Sequence, residues 1–213
     1  MNFMRASSLK QSNENLNLKV EIVRETDPRC TELEASGYTL VGQSWGARLR
    51  LDEKLDLSSF NEAVHGLSTT GIEIHELGVE FAAELLALEL INNADYPYTP
   101  ATFHAIPTLE STQALWNAAN KVFGALDDEK LVGVISTSRA SEIVELDFAS
   151  VLSNYRGKGI GKAMVAAAIV DWAGQGVAVF ATGGAAVNAA SLGTVQSLGF
   201  SIEERWRSYQ PPL

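Results

Sequence analysis

Between residues 72 and 77 apolar and polar side chains alternate (Ile-Glu-Ile-His-Glu-Leu), a period of two that predicts a half-buried strand. Over 79–94 (VEFAAELLALELINNA) apolar residues return every three or four positions, which predicts a helix ending at Asn92–Asn93. The stretch DYPYTPATFHAIPTLE carries three prolines and is a connection, and STQALWNAANK predicts a short helix with Ser111 as its N-cap. KVFGALDDEKLVGVISTS contains two strand-like runs joined by DDEK, a hairpin, and EIVELDFASVL (142–152) predicts a third strand. A helix follows from about 160 to 174, with Ile160, Met164, Ala168 and Trp172 on one stripe and alanines that allow close approach to a sheet. Then come a short buried strand (176–182), a helix (188–199) stopped by Gly199, and a closing strand that its prolines mark as an edge. The order from residue 72 predicts an α/β fold with a mixed sheet rather than a regular βαβ alternation.

Upstream the pattern is weaker. Residues 1–18, rich in Asn, Ser and Gln, are expected to be disordered. HGLSTTG (65–71) interrupts the apolar periodicity, which divides the rest into an N-terminal extension over 19–66 and a main domain over 71–213. Within the extension, LEASGYTLVGQSWGARLRL (33–51) parallels VQSLGFSIEERWRSYQPP (195–212): a helix end, a Gly-aromatic pair, an alternating strand and a tryptophan. The two stretches are either copies of one unit or unrelated segments of similar pattern, and no glycine-rich loop precedes the first.

Composition narrows the function. With 46% hydrophobic and 20% charged residues the chain is expected to pack a core. A formal charge of −10 argues against nucleic-acid binding, which leaves a basic footprint. The longest apolar run, AMVAAAIV, is too short to span a membrane, and the first residues lack the apolar core of a signal peptide. A single cysteine, Cys30, rules out an intrachain disulfide and suits a cytoplasmic location. His65, His75 and His104 have no metal-ligand spacing, so no metal is expected.

Against this acidic background, NYRGKGIGKA (154–163) concentrates three glycines with Arg156, Lys158 and Lys162. It follows a strand and opens a helix, where backbone amides and the helix dipole favour an anion; the alternative is a flexible turn with surface cations. A P-loop needs four residues between its Gly and Gly-Lys, then a hydroxyl; here the spacing is one residue short and Ala163 stands in the hydroxyl's place. A dinucleotide fingerprint needs G-x-G-x-x-G and an acid on the next strand; this loop reads G-x-G-x-G, and VAVFATGG ends without a carboxylate.

R-G-K-G-I-G (156–161) is instead similar to the Arg/Gln-x-x-Gly-x-Gly/Ala motif with which the GNAT acyltransferase superfamily grips the pyrophosphate of acetyl-CoA. NAASLGTVQSLGF (188–200) resembles that family's second signature. Over roughly residues 71–210 the chain thus resembles the GNAT (acyl-CoA N-acyltransferase) fold, a mixed central sheet flanked by helices, and 19–66 resembles the tail of a truncated GNAT half. The resemblance implies acetyl-CoA as acyl donor. It implies that the backbone around Val151 pairs with the pantetheine arm, and that Arg156, Gly157, Lys158, Gly159, Ile160, Gly161 and Lys162 surround the pyrophosphate. Asn188 and Ser191 would lie beside the thiol end, and strands 142–152 and 176–182 would splay to admit the cofactor. The acceptor would sit among Asn92, Tyr96 and Tyr98, with Asn93 and Asp95 nearby.

Transfer to an ammonium requires a base, an oxyanion donor and a means of protonating the thiolate. With period two, Val144, Leu146 and Phe148 share one face of strand 142–152, and Glu145, Asp147, Ala149 and Val151 the other. Glu145 is the first candidate base and Asp147 the second, and a bulge would exchange them; the plainer reading is a face of solvated acids. The family's acid, a tyrosine seven residues after the motif asparagine, is replaced by Val195. The resemblance implies an N-acetyltransferase acting on a primary amine of a small molecule. Alternatives are a protein N-terminus or lysine as acceptor, or an acyl-CoA-binding module without turnover. A homodimer is compatible with this reading; nucleic-acid and membrane partners are not expected.

Overall fold

The structure is a computed structural model and describes residues 20–52, 56–96, 99–102 and 105–212. The segment expected to be disordered (1–18), Tyr98 and His104 lie outside the described residues. The chain order is β1 (Glu21–Arg24), α1 (Arg29–Ala35), β2 (Thr39–Arg50), α2 (Ser58–Ser68), β3 (Ile72–Glu76), α3 (Ala82–Asn92), α4 (Leu109–Gln113), β4 (Asn120–Asp127), β5 (Lys130–Ala140), β6 (Ile143–Val151), α5 (Ile160–Gly174), β7 (Val179–Ala185), α6 (Ala189–Ser197) and β8 (Ser201–Gln210). One-turn 3-10 segments precede and follow α3, at Val79–Phe81 and Asn93–Asp95.

Among the described residues one sheet of eight strands runs β1-β8-β2-β7-β6-β5-β4-β3. Its pairs are antiparallel except β6 with β7, so the sheet is mixed as expected. The closing strand is not an edge: β8 lies between β1 and β2 and pairs with both. Its prolines follow the strand at Pro211 and remove no ladder hydrogen bond. The strand expected from 176 begins later, at Val179. Gly176 takes φ +82° and Val177 N–H donates to Trp172 O, so both residues belong to the cap of α5.

Two apolar layers sandwich the sheet. On one side α5 buries Ile160, Ala163, Met164, Val165, Ala166, Ala168, Ile169, Trp172 and Ala173, including the whole stripe read from sequence. Its approach is close: a Cβ on Gly133 of β5 would come within 3.2 Å of Ile160 and Met164. Trp172 Nε1 donates to Thr137 Oγ1 at 2.9 Å, which satisfies both buried groups. The same cluster includes Trp45, Ala47 and Leu49 of β2 and Phe60 and Leu67 of α2, so the N-terminal extension shares the main core. On the other side α3 packs Leu85 and Leu88 against Val122, Leu131 and Val134, with Phe148 alongside. Other boundaries differ from expectation as well, and α4 ends at Gln113, well short of the 111–121 stretch expected to be helical. The helix α2 runs through His65–Ser68 and the break comes at Thr69–Gly71, where Gly71 takes φ +87°. Ser111 is the third residue of α4; Thr108 is the N-cap, and the two form a reciprocal capping box.

The similarity between 33–51 and 195–212 extends to backbone geometry. Tyr38 N–H donates to Leu33 O at 3.0 Å and Phe200 N–H to Val195 O at 3.1 Å, around Gly37 (φ +81°) and Gly199 (φ +90°). Ser44 and Trp206, at the same offset along the chain, face each other across the β2–β8 pair. The units β1-α1-β2 and β7-α6-β8 are therefore related by a local two-fold axis through that pair, each placing its last strand between those of the other.

Candidate active site

The parallel strands β6 and β7 pair only at Ile143/Val179, Val144/Phe180 and Glu145/Ala181. A last link, Thr182 Oγ1 to Leu146 O at 3.3 Å, closes the base of the resulting wedge. Beyond it the strands separate, as expected for 142–152 and the following strand. The carbonyls of Ala149 and Val151 accept from the side chains of Tyr96 (3.3 Å) and Arg156 (2.8 Å).

A bulge governs what β6 presents. Ser136 faces Phe148 while Thr137 faces Leu146, so Asp147 is the extra residue. Val144 and Leu146 pack on the α5 side, whereas Phe148 packs on the α3 side and Val151 returns to the α5 side. This corrects the uniform alternation: past Asp147 the faces exchange, and Phe148 no longer shares a face with Leu146. Glu145, alternating with Val144 and Leu146, shares the α3 side with Phe148 and Ser150. It is half-buried at the last β6–β7 pair. Asp147 is exposed and accepts from Ser138 Oγ at 2.9 Å.

The glycine loop lies between β6 and α5. Gly157 and Gly159 take φ +76° and +83°, a region that favours glycine. A Cβ built on Gly157, Gly159 or Gly161 would meet no heavy atom within 4 Å, so all three open onto free space. Gly159 is the N-cap of α5 and no side chain caps the helix, leaving its first-turn amides to an outside acceptor. Lys158 is exposed, its Nζ 4.8 Å from the Tyr155 ring centroid, and Lys162 is half-buried in the first turn. Ile160 is buried, so it anchors the helix and only its amide is available to a ligand. These residues fit a diphosphate: room above three glycines, uncapped amides and neighbouring cations.

Arg156 turns elsewhere. Its Nε donates to Val151 O at 2.8 Å, its Nη2 to Asn92 Oδ1 at 3.2 Å, and its Nη1 pairs with Asp95 Oδ2 at 2.8 Å. Asn92 is buried and donates to Ser150 Oγ at 2.8 Å, which sets it inside the joint between α3 and β6 rather than on an open surface. Tyr96 is half-buried; burial, then the nearby Glu89 carboxylate, hold its phenol well above the ordinary value, so it stays a donor. Glu89 itself is 2% exposed on the inward stripe of α3, with Leu85, Leu88 and Asn92. Its signal in the sequence was a carboxylate at a position where the helical period calls for an apolar residue.

In the second signature Asn188 is the N-cap of α6 and its side chain accepts from Ser191 N–H at 3.1 Å, so both residues shape the helix start. Val195 is 4% exposed and belongs to the main core. Among the described residues no group of three or more His, Cys, Asp or Glu is placed to hold a metal ion. No helix among them is long and apolar enough to cross a membrane.

The mixed sheet thus opens between β6 and β7 beside the glycine loop. A family model described as the acetyltransferase (GNAT) family matches residues 87–200, more than half of the 213. The chain belongs to that family. No curated protein matches it in sequence. Among solved structures it is similar to the ribosomal-protein-S18-alanine N-acetyltransferase of Escherichia coli, at 18% identity and TM-score 0.52 over 66% of this chain and 93% of that one. A tandem GNAT protein from the clavulanic acid biosynthesis pathway matches at 17% and 0.61, over 90% of this chain and 62% of its own. The aminoglycoside acetyltransferase meta-AAC0020 from an uncultured soil metagenomic sample, in complex with sisomicin, matches at 20% and 0.53, over 62% and 89%. This chain thus spans less than two thirds of the tandem protein. At these identities the likeness is one of fold.

Proposed function

We propose that the protein transfers an acetyl group from acetyl-CoA to the primary amine of a small molecule. One observation carries this reading: the wedge between β6 and β7 opens beside a loop whose three glycines face free space and whose helix amides lack a side-chain cap. The loop amides of 157–162 hold the diphosphate, with Lys158 and Lys162 adding charge, and the β6 edge pairs with the pantetheine arm through the amides of Ala149 and Val151, whose carbonyls already accept from Tyr96 and Arg156. When bound, acetyl-CoA supplies an acyl thioester. Glu145 takes the proton of the acceptor ammonium; it faces the α3 side, where the segment through Tyr96 would line the acceptor. Asp147, exposed and engaged by Ser138, is the second candidate. Val195, a buried apolar residue, supplies no acid at the family's position. A thiol of pKa about 8.5 leaves partly as thiolate near neutral pH, so the step does not require that acid.

The buried Val195 also favours a second reading, an acyl-CoA-binding module without turnover. Release of free CoA across a panel of primary amines, including aminoglycosides, polyamines and an alanine-terminated peptide, decides between them. Saturable release with a small amine supports the first reading, and preference for the peptide would move the acceptor to a protein. Tight acetyl-CoA binding with no release above hydrolysis would establish the module. The extension fits the remnant of a second GNAT half, supported by the local two-fold axis and by the 90% coverage against a tandem protein.

A further inference from the structure

The motif reading makes Arg156 a phosphate ligand, but its guanidinium is engaged with three other segments. Nε meets the end of β6 at Val151, Nη2 the last residue of α3 at Asn92, and Nη1 the following 3-10 turn at Asp95. Two further bonds run parallel to these, Asn92 to Ser150 Oγ and Tyr96 to Ala149 O. The segment 92–96 is thereby pinned along three successive residues of β6, Ala149, Ser150 and Val151. A guanidinium presents its donors in a rigid fork, which suits it to fix several acceptors at defined angles. A cation already paired with a carboxylate exerts a weaker field on an anion elsewhere. Lys158 and Lys162 carry no ion pair among the described contacts of the loop, so the loop's positive field rests on them and on its amides.

We infer that Arg156 is a positioning residue for the acceptor side: it fixes the segment Asn92–Tyr96 against the strand that carries the acyl donor, and it does not hold the diphosphate. The inference rests on the acetyltransferase reading and deepens it, because it places the specificity of the acceptor under control of a residue inside the donor motif. The distance between amine and thioester then depends on a joint made by Arg156, Asp95, Asn92 and the two carbonyls.

The test compares Arg156→Gln, Arg156→Lys, Asp95→Asn and the Arg156→Gln/Asp95→Asn double variant in three measurements. In the cofactor-free protein, amide hydrogen exchange at 93–96 and 149–151 is expected to quicken by about tenfold or more in each variant, with the core of α5 unchanged. Unchanged exchange in those segments overturns the joint. By calorimetry, the acetyl-CoA dissociation constant is expected to stay within about threefold of wild type in all four. A weakening of about tenfold in Arg156→Gln that Arg156→Lys restores identifies a phosphate ligand and overturns the inference. With the fastest amine of the panel, KM for the amine is expected to rise by about tenfold with a smaller change in kcat, without rescue by lysine. The double variant should be no worse than Arg156→Gln, the non-additivity of two groups in one contact. An unchanged KM in every variant overturns it too. Failure of the wild type to bind acetyl-CoA sinks the underlying reading separately, and the exchange measurement still decides the joint.

Discussion

Replacing Gly161 with alanine or with aspartate separates folding from binding. Gly161 is the second residue of α5, its φ is not in the left-handed region, and a Cβ there meets no atom within 4 Å. In a helix, glycine is worse than alanine by roughly 0.5–1 kcal/mol, with the lower end expected so near the terminus. A domain of this size shifts its Tm by about 2–4 °C per kcal/mol, so Gly161→Ala should raise Tm by about 1–4 °C. Alanine also occurs at this position of the motif that 156–161 resembles, so the methyl should be accommodated and acetyl-CoA affinity should stay within about twofold. Gly161→Asp instead places a carboxylate in the space assigned to the diphosphate, and affinity should fall by tenfold or more, about 1.4 kcal/mol. Gly174→Asp, at the other end of the same helix and also facing free space, is the control and should leave affinity untouched. Differential scanning calorimetry and isothermal titration on the three variants give both numbers. A Gly161→Asp protein that binds acetyl-CoA within about twofold of wild type would refute the placement of the diphosphate.

Three other outcomes follow from the packing. Trp45, 1% exposed in the extension, should cost about 3–5 kcal/mol on truncation to alanine, a lowering of Tm by about 6–20 °C; a neutral result in a thermal melt would mean that the extension does not share the core. Glu145→Gln should lower kcat by about 10²–10⁴-fold with acetyl-CoA affinity retained, and near-normal turnover in this variant, in Asp147→Asn and in their combination would remove both as base. Val195→Tyr should overpack the core and destabilise by about 1–3 kcal/mol, read by denaturant unfolding. An unchanged stability with a large gain in turnover would show that the position does reach the wedge.

What the sequence made legible was local. The bounds of α5 came out at Ile160 and Gly174 because an apolar stripe and a glycine loop mark them independently. The β4-β5-β6 meander was readable from alternation and one acidic turn, since each strand pairs with its neighbour in the chain. The insertion of β2 between β7 and β8 was not, because it joins residues at opposite ends of the chain and no local period encodes that pairing. The exchange of faces at Asp147 was foreseen only as an option: a bulge is a property of two strands, and the sequence of one does not set its position. The loop's glycines marked a candidate phosphate site, yet the partners of Arg156 depended on how α3 docks on β6. Glu89 was hidden for the same reason, a carboxylate whose burial follows from the orientation of its helix.

The central claim is that acetyl-CoA lies along the open edge of β6 with its diphosphate on the start of α5. Backbone amide chemical shifts of the isotope-labelled protein, followed during an acetyl-CoA titration, test it most directly. Saturable shifts should be largest at Gly157, Gly159, Gly161 and Lys162, continue through Ala149 and Val151, and leave β1 and α1 unaffected. An absence of saturable shifts, or shifts centred away from the glycine loop and the β6–β7 wedge, would contradict the account.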